Sequence, residues 1–210
     1  MTHHTMADQV LRLRQIQPQH RYLVGENAYQ LAIALQKGYP VLPGVVISTA
    51  FFEEFLETVD WADPLLADLP HSSLHIDVNN PHQLQAIAQR IQQSIRTQAI
   101  APEHQATIFN VAQSLDTPLV TVYPLLVLRQ SGSSPSPPSS LALPNLTSTD
   151  LPHHLLPSQV CRNDSQELMV AIRHVWTSFF QGSHMFYWQR LGVSFRHLQL
   201  ALLIQPAVSS

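Results

Sequence analysis

Several features that mark common classes of protein are scarce in this chain of 210 residues. It has one cysteine, so an intramolecular disulfide framework is excluded and a reducing compartment is expected. Charged residues make up 12% of the chain, against about 25% in an average soluble protein. The net charge of −3 gives no reason to expect nucleic acid or an anionic membrane as a partner.

Long apolar runs are lacking as well. No stretch approaches the roughly 18 apolar residues that a membrane-spanning helix requires. The amino terminus has neither a continuous apolar segment nor a small-residue cleavage site, so it does not resemble a secretory signal. The sequence therefore predicts a cytoplasmic protein without a membrane partner, with room for one domain or two small lobes.

Hydrophobic spacing predicts a mixture of helices and strands. Apolar residues at intervals of three and four predict helices at Ala28–Lys37, Ala50–Val59, Pro81–Ala99, Pro102–Leu115, Gln166–Phe180 and around Met185–Tyr187. Short β-rich runs predict strands at Val45–Ile47, Leu119–Tyr123, Leu125–Leu128 and Leu200–Pro206, with a break at Pro124. Two other segments have a distinct composition: residues 1–20 are polar with helical character at Val10–Leu13, and residues 131–157 form a Ser/Pro-rich loop.

The most informative stretch is VGENAYQLAIALQKGYPVLPGVVISTAFFEEFLE, residues 24–57. Gly25 is expected to open a turn, Gly38 and Pro40 to end a helix, and Thr49 to cap the next one. The stretch resembles the start of the nucleotide-binding domain shared by phosphoenolpyruvate synthase, pyruvate phosphate dikinase and rifampicin phosphotransferase. That family typically reads VGGKGANLAELxxAGxPVPPGFVITTxAYxxFL.

A second segment, AIRHVWTSFFQGSHMFYWQRLGVSFRHLQLALLIQPAV, resembles a later part of the same family, AIRRCWASLFxxRAxxYRxxxGxxxxxxxMAVLVQxMV. Two matched segments in the right order make coincidence improbable. The resemblance implies an α/β (α+β) fold over residues 21–210: the N-terminal part of an ATP-grasp nucleotide-binding domain, with a mixed sheet and packed helices.

The resemblance also implies a binding site for ATP with Mg²⁺. The family uses a lysine in the VGGKG turn, an arginine at the end of the VRSSA strand and the small-residue loop that follows. The matching positions here are Gly25 and Asn27 in the turn, then Arg129, Ser131 and Gly132. A guanidinium and backbone N–H groups are suited to phosphate oxygens. From the residues alone, Arg129 could instead face water and Asn27 could cap the helix.

The implied function is that of an ATP-binding module of a phosphoenolpyruvate synthase-like phosphotransferase, incomplete as given. The module would be either truncated or supplied with the second half of the ATP-grasp by a separate polypeptide, and the chain alone is expected to be inactive. Two alternatives stay open: a degenerate lobe that acts as a binding or regulatory protein, and a truncated reading frame. The histidines show no metal-ligand spacing, and Cys161 is expected to be structural.

Overall fold

The computed structural model of the protein describes residues 6–60, 81–128, 156–190 and 198–208. In these ranges helices pack on a sheet of five strands, which confirms the expected α+β class. Most of the predicted loop at 131–157 and the stretch from Trp61 to Asn80 lie outside the described residues.

One sheet organises the fold, in the order β1-β2-β5-β3-β4. The strands are β1 (Val10–Arg12), β2 (Val45–Ile47), β3 (Leu119–Leu128), β4 (Gln159–Arg162) and β5 (Leu198–Pro206). Every pairing among the described strands is antiparallel, which differs from the mixed sheet expected from the sequence. The difference arises because β5 inserts between β2 and β3 and runs opposite to both. Its central position buries residues 198–204 throughout.

β3 is one continuous strand, so the predicted break at Pro124 is wrong. Pro124 lies opposite Leu202 of β5, whereas β4 pairs only with the first part of β3, from Leu119 to Val122. Beyond Val122 the described residues place no strand on that side of β3. A proline is tolerated where no neighbouring strand needs its missing N–H.

The predicted helices are present, with shifted ends. The helices are α1 (Met6–Gln9), α2 (Arg21–Gln36), α3 (Thr49–Thr58), α4 (Pro81–Thr97), α5 (Pro102–Gln113), α6 (Ser165–Phe179) and α7 (Gly182–Arg190). The expectation that Thr49 caps α3 is wrong, because Ser48 holds that position and makes no side-chain cap bond. At α6, by contrast, the Glu167 N–H donates to Asp164 Oδ1 at 2.8 Å, so Asp164 caps this helix with its side chain.

The end of α2 follows the prediction made for Gly38. Gly38 has a φ of 84° and donates its N–H to the Leu35 carbonyl at 3.1 Å. The Tyr39 N–H donates to the Ala34 carbonyl at 3.0 Å. These two bonds form a Schellman motif, which ends a helix with a residue in the left-handed region.

The amino-terminal segment is part of the sheet, so its predicted helical character at Val10–Leu13 is wrong. Val10–Arg12 pairs with β2, and the following 3₁₀ turn, Leu13–Gln15, places Leu13 in the core. Ile16 is buried, and its carbonyl accepts a hydrogen bond from Gln36 Nε2 at 2.8 Å. The structure thus ties this segment to the far end of α2.

The two faces of the sheet carry separate cores. The thick face, which bears Val122 and Leu202, shares its core with side chains from α3 through α7. The thin face, which bears Tyr123 and Leu203, is covered by α2 and the turn Leu13–Gln15. Trp176 of α6 is fully buried in the thick-face core, as its place in the apolar stripe predicts.

Candidate functional site

α2 contains a glycine turn near its start. Gly25 has a φ of 80° and a ψ of 165°, which interrupt the helical run. A Cβ at this position would lie 2.9 Å from Val127 Cγ2 and 3.7 Å from the Leu126 backbone oxygen. Positive φ and close approach both favour glycine. The Gly25 turn, defined here as Val24–Asn27, therefore packs directly against the carboxyl end of β3.

Three of the five predicted site residues, Arg129, Ser131 and Gly132, lie outside the described residues. The described part of β3 ends at Leu128, one residue before Arg129. What the structure brings together is thus the Gly25 turn and the strand that leads into the predicted phosphate loop. The roles of the three residues remain predictions.

Asn27 does not cap the helix, because the non-helical residue is Gly25 and Asn27 lies two positions later in the resumed helical run. Its side chain is half-buried and lines an open cleft of about 560 Å³ beside α2. This α2 cleft is lined by Asn27, Leu31, Tyr123, Pro124, Leu125, Leu156, Pro157, Ser158, Leu203 and Gln205. Asn27 therefore connects the Gly25 turn to the cleft.

The charged groups nearest the turn are paired with each other. Arg21 Nε lies 2.5 Å from Glu26 Oε2, and Gln30 Nε2 donates to Glu26 Oε1 at 2.7 Å. The hydrogen bond from Gln30, with the hydrogen bond and charge of Arg21, holds the pKa of Glu26 below its usual value. The Arg21 guanidinium also lies 5.6 Å from the centre of the Tyr29 ring. Glu26 thus stays ionised at neutral pH and offsets the positive charge of Arg21.

Other residues that suggest chemistry prove structural. His184, on α7, is buried, with Nδ1 2.7 Å from the Ser178 carbonyl oxygen. Burial, with smaller effects from Glu167 and Asp164, raises the pKa of Cys161 to about 11, so its thiol is not poised for nucleophilic attack. Among the described residues no cluster of His, Cys, Asp or Glu is arranged to hold a metal ion.

Sequence reasoning missed the floor and the far wall of the α2 cleft. The floor includes Tyr123 and Leu125, and the wall is the segment Leu156–Ser158 just before β4. The signal for this cleft was Pro124, which marks a part of β3 beside which the described residues place no strand on one side. Sequence reasoning assigned Pro124 to a break between strands and therefore missed it.

Comparison with protein families matches residues 21–210 to the pyruvate phosphate dikinase AMP/ATP-binding domain. The matched range includes the Gly25 turn, β3 and β5. The chain belongs to this family. A search of curated proteins finds no relative that matches the chain.

Membership in the pyruvate phosphate dikinase family gives the Gly25 turn a functional context, because the matched domain is one that binds AMP or ATP. The match begins at residue 21, although β1 pairs into the same sheet ahead of that point. In the described parts of the chain, no helix has both the length and the apolar character needed to cross a bilayer.

Proposed function

We propose that this protein is an ATP-binding module of the pyruvate phosphate dikinase family. Its nucleotide phosphates would lie between the Gly25 turn and the loop Arg129–Gly132, with Mg²⁺ as the accompanying cation. The observation that supports this most is the contact of Gly25 with Val127, two residues before Arg129. A turn that packs against the strand leading into this loop is suited to bind the same phosphate chain as the loop.

Charge makes Arg129 the central residue of this proposal. A nucleotide triphosphate needs cations and backbone N–H donors to offset its negative charge. Asn27, at the position of the family's lysine, is neutral. Arg21 is paired with ionised Glu26, so it adds little net positive charge. Arg129 therefore has to supply the positive charge, through bidentate bonds of its guanidinium to phosphate oxygens.

The same features favour binding without rapid phosphoryl transfer. The Arg21–Glu26 pair leaves the turn without net positive charge, and no lysine stands at Asn27 to stabilise charge that develops on the transferred group. A binding or regulatory role, in which the module retains nucleotide and docks with a separate polypeptide that carries the rest of an ATP-grasp, is the second candidate. ATP turnover by the isolated chain is expected to be undetectable.

The direct test measures thermal unfolding with increasing ATP and Mg²⁺. Ligand at 100 times the dissociation constant stabilises the folded state by about 2.7 kcal/mol. Arg129→Ala should abolish the stabilisation. The matched control is Arg162→Ala, which removes the same charge at the opposite end of β3, where Arg162 pairs with Leu119. Arg162→Ala should be stabilised by ATP and Mg²⁺ as much as the wild type is.

Two results would count against the proposal. Absence of stabilisation at millimolar ATP would mean that the module no longer binds nucleotide. An unchanged effect in Arg129→Ala would mean that the phosphates bind elsewhere on the molecule.

A further inference from the structure

β4 lies at one edge of the sheet, and one of its sides faces away from β3. The Asn163 N–H donates to the Pro118 carbonyl at 2.8 Å, in the direction of β3. Because bonding directions alternate along an antiparallel strand, the N–H groups of Val160 and Arg162 point away from β3. In the described parts of the chain no strand pairs with this outer side. It therefore offers backbone donors and acceptors to another extended segment.

One of these outward groups is bonded to a side chain of α6. The Arg162 N–H donates to Glu167 Oε2 at 2.9 Å, and Glu167 Oε1 lies 3.7 Å from Arg162 Nε. The carboxylate thus contacts both the backbone and the guanidinium of one edge residue, an arrangement that we call the Glu167 clamp. An incoming strand that pairs along β4 needs the Arg162 N–H, so it has to displace the clamp.

The side chains of β4 itself do little to prevent the addition of a strand. Cys161 points into the thick-face core, so Val160 and Arg162 point to the thin face. Val160 is 64% exposed, and β-branched residues favour strand pairing. β4 contains neither proline nor lysine, the residues that commonly block exposed edges. Glu167 is therefore the main obstacle to pairing that the described residues place at this edge.

The outer edge of β4 is complementary to itself. Two β4 strands can pair antiparallel about a two-fold axis at Cys161, which places Val160 of each copy opposite Arg162 of the other. Both outward-pointing residues then exchange backbone hydrogen bonds with the second copy. No two charges of the same sign lie directly opposite each other in this register, and the methylene groups of the arginine can cover the valine.

We propose that the outer edge of β4 is an interface for a second copy of this chain, which the Glu167 clamp keeps closed in the monomer. Displacement of the Glu167 carboxylate opens the edge, and two sheets join into one. This inference is independent of nucleotide binding, because β4 pairs with the first part of β3, whereas the Gly25 turn packs against the carboxyl end of that strand.

The test compares the self-association of the wild type and Glu167→Ala by analytical ultracentrifugation over a range of protein concentrations. The wild type should sediment as a monomer. Glu167→Ala should dimerise reversibly, with an association constant raised by about tenfold or more, because neither copy has to break a clamp bond first. Equal self-association of the two proteins, whether both are monomers or both are dimers, would overturn the inference.

Two further variants serve as controls for the loss of charge. Glu103→Ala removes the same charge from the first turn of α5 and should behave as the wild type does. Glu167→Gln keeps an oxygen that can accept a hydrogen bond from the Arg162 N–H, so it should dimerise less than Glu167→Ala.

A second substitution in the Glu167→Ala background tests whether the dimer forms through β4. Val160→Lys adds a charge at the edge and should return the protein to a monomer. Hydrogen exchange of the Val160 amide in Glu167→Ala should become slower as the protein dimerises. A dimer that Val160→Lys leaves intact would involve another surface and would overturn the inference.

The wild type provides a measurement that does not depend on the folding of any variant. The Arg162 amide should exchange with deuterium about tenfold or more slower than the Val160 amide, after correction for their intrinsic rates, because Arg162 is bonded to Glu167. Equal exchange rates at these two outward-pointing amides would show that the clamp does not hold in solution, which would also overturn the inference.

Discussion

The thick face of the sheet shares its core with five helices, whereas the thin face is covered by α2 and one 3₁₀ turn. The thick-face core is rich in large aromatic side chains, including Trp176 and Phe52, that are almost completely buried. The thin-face core contains many smaller residues, such as Ala28 and Ala32, and several half-buried ones. The larger burial on the thick face contributes most of the stability.

The difference explains where a ligand site can form. A fully covered sheet face leaves no room for a ligand, but in the described parts of the chain one helix and one 3₁₀ turn leave part of the opposite face open. The α2 cleft occupies that open part, beside Tyr123 and Leu125. The more heavily buried core and the open surface thus lie on opposite faces of the same strands, and substitutions can separate their effects.

The largest effect is expected for Trp176→Ala on the thick face. The ring centre of Trp176 lies 4.5, 5.4 and 5.9 Å from those of Phe55, Phe52 and Phe51. Removal of a buried aromatic side chain lowers the free energy of unfolding by about 3–5 kcal/mol. Leu31→Ala on the thin face, at a half-buried position, should cost less than half as much in urea denaturation. Equal losses of unfolding free energy in the two variants would show that the two faces contribute alike to stability.

The next largest effect is expected for Gly25→Ala. Both Gly25 and Gly38 have positive φ, at 80° and 84°, but a Cβ at Gly38 would meet no atom within 4 Å. Gly38→Ala therefore measures backbone strain alone, at about 1 kcal/mol. Gly25→Ala adds an overlap with Val127, and the ψ of 165° at the positive φ of Gly25 is itself almost restricted to glycine, so this change should cost about 2–3 kcal/mol.

A second substitution isolates the overlap. Val127→Ala in the Gly25→Ala background should recover the part of the loss that comes from the contact with Val127 Cγ2, measured as the coupling in a double-mutant cycle. Absence of coupling between Gly25→Ala and Val127→Ala would contradict the close packing of the turn on β3.

A smaller effect is expected at the helix caps of the thick face. Asp164→Ala removes the bond to the Glu167 N–H and should cost about 1 kcal/mol. Ser48→Ala is the matched control, because Ser48 Oγ is buried and has no hydrogen-bond partner among the described residues. That change should be neutral or slightly stabilising in chemical denaturation. A larger loss at Ser48 than at Asp164 would reverse this ranking.

The smallest effect is expected for Glu26→Gln on α2. Because the folded-state pKa of Glu26 is lowered, its stabilisation is complete above the ordinary pKa of a glutamate and is lost as pH falls through the lowered value. The substitution should cost about 0.2–1 kcal/mol at pH 7, since Arg21 is largely exposed. The difference in the free energy of unfolding between the wild type and Glu26→Gln should shrink to zero when the measurement at pH 7 is repeated in acid. A difference that does not change with pH would exclude the ion pair as its cause.

Local sequence patterns predicted much of this fold. The apolar stripe of α6 correctly identified its buried residues, and Gly25 and Gly38 were correctly assigned to a turn and a helix end. These features depend on neighbours within about one helical turn, so the local sequence is sufficient to predict them. The assignment of β1 was wrong because three residues carry too little periodicity to distinguish a strand from a helix.

The site was predicted less completely for a related reason. The turn was found from its glycine and from the family resemblance, but the cleft beside it depends on contacts between distant segments. Tyr123, Leu156 and Leu203 line it together, although they come from separate parts of the chain. Pro124 was mistaken for a strand break because the extent of β4 pairing cannot be deduced from residues near the proline.

The sequence by itself determined the α+β class, the positions of the main helices and the glycine that turns α2 toward β3. Tertiary structure alone decided that β5 lies between β2 and β3, and that α2 and a 3₁₀ turn, among the described residues, cover one face of the resulting sheet. The physical reason is the range of the interactions: capping, backbone strain and helical periodicity act within a few residues. Strand pairing and the open surface left beside α2 instead depend on segments that meet only after folding.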